Sequence, residues 1–500
     1  MSFESLLAAA SAPGADLDVL EDLASSALDE GEEELALPLI SRTLEARPIA
    51  RLWQWKALLE RSLDEHEQAL VSFAEAARLD PNDAGIAHGR ARVALEAGVP
   101  AEQLYERALA LAPTDGAVIV GLAAARVAAG RGEQAERELG SIVGQVPLWI
   151  EGQVQLAQLR STLGRGAASL ESLERALAAD QRQPELWKTL FDLLVRREDY
   201  SGLLEAVEKG RAAGSPSRLT RGYETIAAAE LGMTEHADRL FAESEADAAL
   251  AIWRIRHLLR SGRAIEALPL IDRELAGPNS AGAWPYAATA WRMTGDGRLA
   301  WLQGDPHLVA TFDLTPDLPP LDDIAAVLRS LHVAKAEYLD QSVRGGTQTD
   351  GPLFSRIDPA IRALRRAVVG AVQGYVARLP SPDPNHPLLG ARRDRRIRFA
   401  GSWSVRLRGA GFHASHVHPQ GWISSALYVA LPPESAGKSD SGWLQLSEPP
   451  PDLRTELNPL ALVKPEPGRL VLFPSWMWHG TIPFPEGERL TVAFDVSMPR

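Results

Sequence analysis

Residues 66–83 (HEQALVSFAEAARLDPND) and residues 98–115 (GVPAEQLYERALALAPTD) carry one shared pattern, and it decides the fold of the first part of the chain. Two alanines and one aromatic residue recur at the same offsets before a proline: Ala69, Phe73 and Ala76 before Pro81, and Ala101, Tyr105 and Ala108 before Pro113. Apolar residues spaced three and four apart lie on one face of a helix. Because proline cannot continue a helix, each proline marks a helix end.

The proline recurs through the first 300 residues at a nearly fixed period. Six prolines lie 32 to 37 residues apart, and a seventh follows two periods later: Pro48, Pro81, Pro113, Pro147, Pro184, Pro216 and Pro278. The region is rich in Ala, Leu, Glu and Arg, which favour helices. Trp53 and Gly89 fall where a repeated unit needs an early aromatic residue and a small residue at a helix contact. The alternative is an irregular helical domain.

This pattern resembles the tetratricopeptide repeat, a helix–turn–helix unit of about 34 residues. The similarity is good over residues 48–147 and looser from there to about residue 298. The resemblance implies an all-α array of about seven to nine units over residues 1–299, wound into a right-handed superhelix with a concave binding face. It also implies a protein or peptide partner bound by that superhelix.

Charge and composition exclude several function classes. The chain has 500 residues, a net charge of −14 and no cysteine, so disulfides, zinc–thiolate sites, iron–sulfur clusters and thiol catalysis are ruled out. Residues 1–300 hold 31 Lys and Arg against 46 Asp and Glu, whereas residues 301–500 are almost neutral. Acidic repeats repel a phosphate backbone, so we expect no nucleic-acid partner. They permit a basic partner, or they simply keep the protein soluble.

The N-terminal sequence and the hydropathy predict a cytoplasmic protein. The first residues, MSFESLLAAASAPG, lack the basic region and the long apolar core of a signal peptide. No stretch is apolar enough to span a membrane, so we expect no membrane partner. The absence of cysteine fits a reducing compartment. The oligomeric state stays open.

The sequence pattern changes near residue 300, where WLQGDPHLVATFDLTPDLPPLDD (301–323) brings prolines and short apolar runs. Residues 321–340 and 359–379 predict two helices. Alternating stretches separated by Gly and Pro then predict strands: IRFAGSWSVRL (397–407), GWISSALYVALP (421–432), GWLQLS (442–447), GRLVLFPS (468–475) and RLTVAFDVS (489–497). This order predicts a β-sandwich or jelly roll with flanking helices over residues 300–500.

Four of the 11 histidines lie in the last 88 residues. His416 and His418 are two apart in FHASHVHPQGW (412–422), so on an extended chain both imidazoles point the same way. His479 follows 61 residues after His418, at the end of a predicted strand. A jelly roll brings strand ends together, so these three predict a metal site with an open side. His413 either lies beside this site or replaces one ligand, and the alternative is a loop of exposed histidines.

Arg489 lies ten residues after His479 and shares a strand face with Thr491. An arginine can bind a carboxylate bidentately. The whole arrangement resembles the Fe(II)- and 2-oxoglutarate-dependent oxygenases, in which His-x-Asp is followed by a distant His and a basic residue about ten positions later. Four stretches are similar to one branch of these enzymes, found in bacterial proteins with tetratricopeptide repeats: 341–354 (QSVRGGTQTDGPLF), 415–432 (SHVHPQGWISSALYVALP), 467–480 (PGRLVLFPSWMWHG) and 488–496 (ERLTVAFDV).

The resemblance implies a double-stranded β-helix (jelly roll) and assigns the site residues. His416, His418 and His479 would hold Fe(II). Arg489, helped by Thr491, would bind the distal carboxylate of 2-oxoglutarate, and Tyr428 would donate a hydrogen bond to it. His418 stands where most of the superfamily has aspartate, which raises the charge of the site by one, should change the redox potential of iron and could favour another metal.

The implied activity is that of a 2-oxoglutarate/Fe(II)-dependent dioxygenase, which we expect to be a hydroxylase whose repeat array recruits a protein or peptide substrate. Two alternatives remain open. The array could be a scaffold for a non-catalytic jelly roll that senses a metal or ligand, as the departure at His418 suggests. The site could also belong to a three-histidine dioxygenase that does not use 2-oxoglutarate, although the spacing of Arg489 argues against this.

Three further features of the C-terminal part have predicted places. The stretch RGGTQT (344–349) combines two glycines with hydrogen-bonding side chains and could border the active site. The run ARRDRRIRF (391–399) holds five arginines, which form a solvated face, dock against the acidic repeats or bind an acidic substrate. Three tryptophans near the histidines are expected in the core: Trp422, Trp476 and Trp478.

Overall fold

The computed structural model describes residues 1–12, 14–244, 247–336, 342–432 and 440–499. Nineteen α-helices of these residues precede the first strand: α1 (Phe3–Ala10), α2 (Leu17–Glu30), α3 (Glu33–Ala46), α4 (Ala50–Ser62), α5 (His66–Leu79), α6 (Ala84–Glu96), α7 (Glu102–Leu111), α8 (Gly116–Ala128), α9 (Gly132–Gln145), α10 (Ile150–Thr162), α11 (Glu171–Ala179), α12 (Pro184–Arg196), α13 (Tyr200–Ala212), α14 (Ser217–Glu230), α15 (Thr234–Glu243), α16 (Ala251–Arg260), α17 (Ala264–Leu275), α18 (Ser280–Thr294) and α19 (Arg298–Gln303). None of the helices in the described parts combines the length and the apolar character that crossing a bilayer requires.

The helices pair as the proline period predicts, and the tetratricopeptide-type array is confirmed. Consecutive first helices of the units, α4, α6, α8, α10 and α12, begin 32 or 34 residues apart. Phe73 packs against Gly89 of the next unit, where an added Cβ would lie 2.4 Å from the ring. Tyr105 and Gly121 repeat this contact one unit later, with 2.2 Å. The small residue is therefore required because an aromatic ring fills the groove between units.

Nine strands and two helices of the described residues build the C-terminal part: β1 (Ala310–Asp313), α20 (Leu321–Leu331), β2 (Val343–Gln348), α21 (Pro359–Arg378), β3 (Phe399–His413), β4 (Gly421–Ala430), β5 (Leu444–Leu446), β6 (Ala461–Val463), β7 (Arg469–Pro474), β8 (His479–Thr481) and β9 (Glu488–Ser497). The large sheet has the order β1-β7-β4-β9-β3-β2, and the small sheet has the order β6-β5-β8. All pairings are antiparallel, which confirms the predicted jelly roll with helices.

Strand β9 shows how the large sheet separates core from site. Its even-numbered residues from Leu490 to Val496 lie in the core that α20 and α21 complete. Successive strand residues point to opposite faces, so Arg489, Thr491 and Asp495 lie on the other face. That face packs against the small sheet. The alternation therefore directs three polar side chains of one strand into the interior of the jelly roll.

One predicted helix is too long. The helix expected over residues 321–340 ends at Leu331, because the next residue, His332, turns toward the large sheet. Its ring lies 2.9 Å from the Thr347 hydroxyl and 3.1 Å from the Ser404 hydroxyl. Residues 337–340 of that prediction and residue 341 of the QSVRGGTQTDGPLF stretch lie outside the described residues.

The jelly roll docks on the edge of the array formed by the turns between the two helices of each unit. Backbone carbonyls at these turns accept hydrogen bonds from the C-terminal part: Gly31 and Leu63 from Arg398 and Arg396 at 3.1 Å each, Asp64 from Arg365 at 3.0 Å, Ala97 from the Ile357 amide at 3.0 Å, and Thr162 from the Lys335 amide at 2.8 Å. Because the C-terminal end of a helix carries partial negative charge, it attracts cations.

The arginine run supplies ion pairs to this interface. Arg395 pairs with Glu32, and Arg398 pairs with Glu33 at 2.7 Å. Burial alone would raise the pKa of the Glu33 carboxyl, but hydrogen bonds from Arg398 and Ser62 hold it below its ordinary value. The interpretation that this run docks against the acidic repeats is therefore confirmed for Arg395, Arg396 and Arg398, whereas Arg392 is exposed and pairs with Asp394.

Candidate metal centre

Two distant chain segments meet at the histidines. His416 and His479 form an antiparallel bridge in which each amide donates to the other carbonyl, at 3.0 Å in both directions. The His418 amide donates to the carbonyl of Ser475 at 2.9 Å. The segment before β4 therefore runs along the segment that enters β8. This pairing brings His418 and His479, which are 61 residues apart in the sequence, close together in space.

The three histidines predicted as ligands lie together. Ring centroids are 4.2 Å apart for His416 and His479, 4.9 Å for His416 and His418, and 5.1 Å for His418 and His479. One nitrogen from each ring can be chosen so that all three lie within 4.8 Å of one another. Such a group can hold a metal ion with three nitrogen ligands.

The other ring nitrogen of each histidine is already engaged. Nδ1 of His416 donates to the Ala414 carbonyl at 2.8 Å, and Nδ1 of His479 donates to the Met477 carbonyl at 3.0 Å. Nδ1 of His418 faces Oδ2 of Asp495 at 3.0 Å. A proton held on Nδ1 leaves the lone pair on Nε2, so all three rings present the same nitrogen, and that of His416 also lies 3.2 Å from the Ser342 hydroxyl.

Burial keeps the imidazoles of His416 and His479 in the neutral form that binds metals. It lowers the pKa of His416 well below the ordinary value, and the neighbouring His479 and His418 lower it further. The pKa of His479 is likewise lowered well below its ordinary value, by burial first and then by His418. Both rings are therefore neutral at pH 7, and metal binding does not have to displace a proton from them.

His413 lies beside this group. Its ring stacks on that of His416 at 5.9 Å and 19°. The Ser342 hydroxyl lies 3.3 Å from Nδ1 of His413 and 3.2 Å from Nε2 of His416, so it links the two rings. Burial, followed by the charge of Arg489, lowers the pKa of His413 to about 3.

The residues predicted to bind a carboxylate also lie together. Arg489 is buried, and its guanidinium lies 5.0 Å from the centre of the Tyr428 ring, while Tyr428 pairs with Thr491 in the strand register. Nη1 of Arg489 donates to the Gly442 carbonyl. Among the described residues, Nε of Arg489 has no hydrogen-bond partner, the Tyr428 hydroxyl faces the guanidinium but donates to no acceptor, and no carboxylate pairs with Arg489.

Asp495 is the site residue that sequence reasoning missed. Its carboxylate is buried between His418 and Ser424. The Ser424 hydroxyl donates a hydrogen bond to this carboxylate at 2.5 Å. The available signal was its position, since Asp495 lies an even number of residues after Arg489 and therefore on the same strand face. A carboxylate on that face is close enough to orient a ligand.

A cleft of about 1530 Å³ connects the histidines to the repeat array. The stretch RGGTQT contributes Arg344 and Gln348 to its lining, so the prediction that this stretch borders the site is confirmed. Trp403 also lines the cleft, 5.5 Å from His418. The predicted core tryptophans are all buried: Trp422, Trp476 and Trp478. The repeat-side lining was not foreseen, because it depends on how the two parts dock.

Comparisons with known proteins agree with both parts of the fold. Residues 401–495 match the family described as "Putative 2OG-Fe(II) oxygenase", and residues 50–83 and 99–159 match tetratricopeptide-repeat families. No curated protein matches the chain. A tetratricopeptide repeat protein from Parabacteroides merdae is similar in structure at 17% identity over 45% of this chain and 90% of its own, with a TM-score of 0.32. A Pseudomonas putida prolyl-4-hydroxylase is similar at 18% identity over 39% and 94%, with a TM-score of 0.26.

Proposed function

We propose that this chain, in which tetratricopeptide repeats precede a domain of the 2OG-Fe(II) oxygenase family, is an Fe(II)- and 2-oxoglutarate-dependent hydroxylase of a protein or peptide substrate. One observation carries the proposal. Three imidazoles with their Nδ1 atoms engaged lie in the same jelly-roll interior as a buried arginine that has no anion among the described residues.

The donor set fits an iron site. Imidazole nitrogen suits Fe(II) as well as other transition metals, and three ligands leave positions open for other molecules. His416, His418 and His479 would hold the ion. A neutral His418 ligand lacks the negative charge that an aspartate ligand would have. Asp495 places a negative charge next to Nδ1 of the same ring. Such a carboxylate raises the basicity of the ligand and fixes its orientation.

The arginine side of the site fits a carboxylate. Burying a guanidinium without an ion pair costs free energy. A bound anion that pairs with Arg489 would offset this cost and so explain why the arginine is buried. The Tyr428 hydroxyl lacks an acceptor and could donate to the same anion, and Thr491 lies next to both. Arg489, Tyr428 and Thr491 would therefore bind the distal carboxylate of 2-oxoglutarate.

The bound groups would supply the oxidation. Fe(II) and 2-oxoglutarate together use O₂ to form succinate and CO₂ and to insert one oxygen atom into a substrate C–H bond. The residues of this chain orient them. The hydrogen bonds at the three Nδ1 atoms hold the imidazoles in place, and Arg489 and Tyr428 fix one end of 2-oxoglutarate. We also propose that the repeat array covers residues 1–299 and the oxygenase-like domain residues 300–500, so that the domain boundary lies within α19. We propose further that the protein works in the cytoplasm.

Anaerobic titration with Fe(II) and then 2-oxoglutarate tests the proposal, followed by binding heat and visible absorption. We expect saturable 2-oxoglutarate binding that requires Fe(II) and is lost in His479→Ala and in Arg489→Gln, whereas Arg489→Gln retains metal binding. Arg408→Gln is the matched control, because Arg408 is exposed near the end of β3. Metal binding without 2-oxoglutarate binding would instead favour a three-histidine dioxygenase or a metal sensor.

A further inference from the structure

We infer that the cleft between the repeats and the three histidines binds an extended polypeptide segment that carries acidic side chains, and that Arg196 and Arg197 select it. The inference names the substrate class of the proposed hydroxylase and rests on that function for the reaction. Binding of the segment does not depend on the reaction.

The cleft is long and is shared between both parts of the protein. Its repeat side is lined from α10 to α18, with Ser161, Arg196, Tyr200, Trp253 and Tyr286 along the way. Neighbouring packed helices lie about 8–10 Å apart, so this lining extends over on the order of 30 Å. The volume of about 1530 Å³ is larger than the roughly 300–1,000 Å³ of pockets that enclose small ligands. An extended chain rises about 3.3 Å per residue, so roughly nine residues fit.

Part of the acidity of the repeats is used inside the protein. The carboxylates of Glu32, Glu33 and Glu65 pair with arginines of the jelly roll along the docking edge. For these three carboxylates the basic partner is the C-terminal part of the same chain. The repeat surface that remains open beside the histidines instead presents two arginines, Arg196 and Arg197.

Two cations of the cleft have no carboxylate partner among the described residues. Arg196 is exposed at the end of α12 and makes no ion pair there, and Arg197 donates only to the Ser169 hydroxyl, at 3.3 Å. The other cations of the lining are paired: Lys335 with Glu133 at 3.2 Å, Arg344 with Glu198 at 3.3 Å and Arg256 with Glu230 at 3.0 Å. Unpaired guanidinium groups attract carboxylates and bind them with directed hydrogen bonds.

Aromatic side chains line the cleft that also holds these arginines and the histidines. Tyr200 and Trp253 lie on the repeat side, and both are half-buried. Trp403 lies on the jelly-roll side, next to His418. Flat aromatic surfaces on both walls can pack against a peptide while the arginines bind its charged side chains. A residue between these walls would lie near His416 and His418, which line the cleft.

A randomised library of ten-residue peptides tests the inference by equilibrium selection on the full-length protein under argon, with and without Fe(II) and 2-oxoglutarate. We expect the retained peptides to be enriched in Asp and Glu over the input. The double variant Arg196→Glu/Arg197→Glu should weaken their binding about tenfold or more, and added salt should weaken binding to the native protein. Arg182→Glu, an exposed arginine outside the cleft, is the matched control.

Several results would overturn the inference. They are retention of no peptide, retained peptides no more acidic than the input, or binding that the double variant leaves unchanged. The titration of Fe(II) and 2-oxoglutarate is scored separately. If acidic peptides bind as expected while 2-oxoglutarate does not, the proposed hydroxylase fails and the polypeptide cleft stands; the reverse result rejects the cleft alone.

Discussion

Oδ2 of Asp495 lies 3.0 Å from Nδ1 of His418, so strand β9 supports one of the three imidazoles of the candidate metal centre. The resemblance to the oxygenases places an aspartate where this chain has His418. Here a carboxylate is still present, but it acts through the ring of His418. The negative charge of the site is therefore moved outward by one side chain.

Asp495→Asn tests this relationship, because it preserves the shape of the side chain and removes the charge. We expect the affinity for Fe(II), or for Co(II) as a stable substitute, to fall about 10–100-fold with unchanged stoichiometry. Competition with a chelator measures this change. Ser424→Ala is the control, since it removes one hydrogen bond to Asp495 and keeps the carboxylate. Equal affinities for Asp495→Asn and the native protein would reject the role.

Residues with a fixed spacing could be predicted from the sequence, whereas residues chosen by docking could not. Phe73 and Gly89 recur in register with the prolines, so their contact follows from the period. His416, His418 and His479 follow from strand geometry and a familiar pattern. Arg392 and Arg398 belong to one arginine run, but only Arg398 of these two pairs with a repeat carboxylate, while Arg392 pairs with Asp394. The sequence does not give the position of the acidic helix turns, which decides this.

Arg398→Ala should loosen the jelly roll from the array. Its partner Glu33 is almost fully buried, so removing the arginine leaves a carboxylate without its cation. Breaking such a buried pair costs about 3–5 kcal/mol, and because Arg398 is itself partly exposed we expect the lower end of this range. Calorimetry should show a lower Tm or two separate transitions.

Arg392→Ala provides the matched control for the interface. Arg392 belongs to the same run but pairs with Asp394, and both side chains are exposed. An exposed pair contributes about 0–1 kcal/mol, so the Tm should hardly change. Similar losses for both variants would mean that the run acts through net charge and not through the contact between Arg398 and Glu33.

Gly89→Ala should destabilise the repeats although alanine favours helices. The added methyl group would lie 2.4 Å from the Phe73 ring, which must move. Overpacking of this kind costs about 1–3 kcal/mol. Gly222→Ala is the control, because nothing lies within 4 Å of that position in α14, and it should stabilise by about 0.5–1 kcal/mol. Urea unfolding of both variants measures the two signs, and a stabilised Gly89→Ala would contradict the packing.

His332 should make the stability depend on pH. Burial, with the charge of Arg406, lowers its pKa to about 4, so the unfolded chain binds a proton at higher pH than the folded one. Stability is therefore complete at neutral pH and is lost as the pH falls from about 6.5 toward 4. Between pH 7 and pH 5 the loss from this residue is about 2 kcal/mol.

The variant His332→Gln isolates this contribution from those of the other histidines. Glutamine can still reach the hydroxyls of Thr347 and Ser404 but does not titrate. We expect its Tm to be lower at pH 7 and to change less than that of the native protein between pH 7 and pH 5. Parallel Tm curves for the two proteins over this range would show that His332 is not the titrating group.

Tyr428→Phe separates a role in binding from a role in packing. The Tyr428 hydroxyl is buried beside the Arg489 guanidinium, from which its oxygen accepts, but it donates to no acceptor among the described residues, so removing it should change the free energy of unfolding by no more than about 1 kcal/mol in the absence of 2-oxoglutarate. The ring beside Arg489 is retained. A hydrogen bond to a charged carboxylate contributes about 1.5–3 kcal/mol, so affinity for 2-oxoglutarate should fall about tenfold or more.

Tyr375→Phe is the control, because the Tyr375 hydroxyl donates to the Leu308 carbonyl at 2.7 Å. In this variant stability should fall and 2-oxoglutarate affinity should remain. If Tyr428→Phe lowers stability and leaves 2-oxoglutarate affinity unchanged, the tyrosine belongs to the core and Arg489 binds the carboxylate without it.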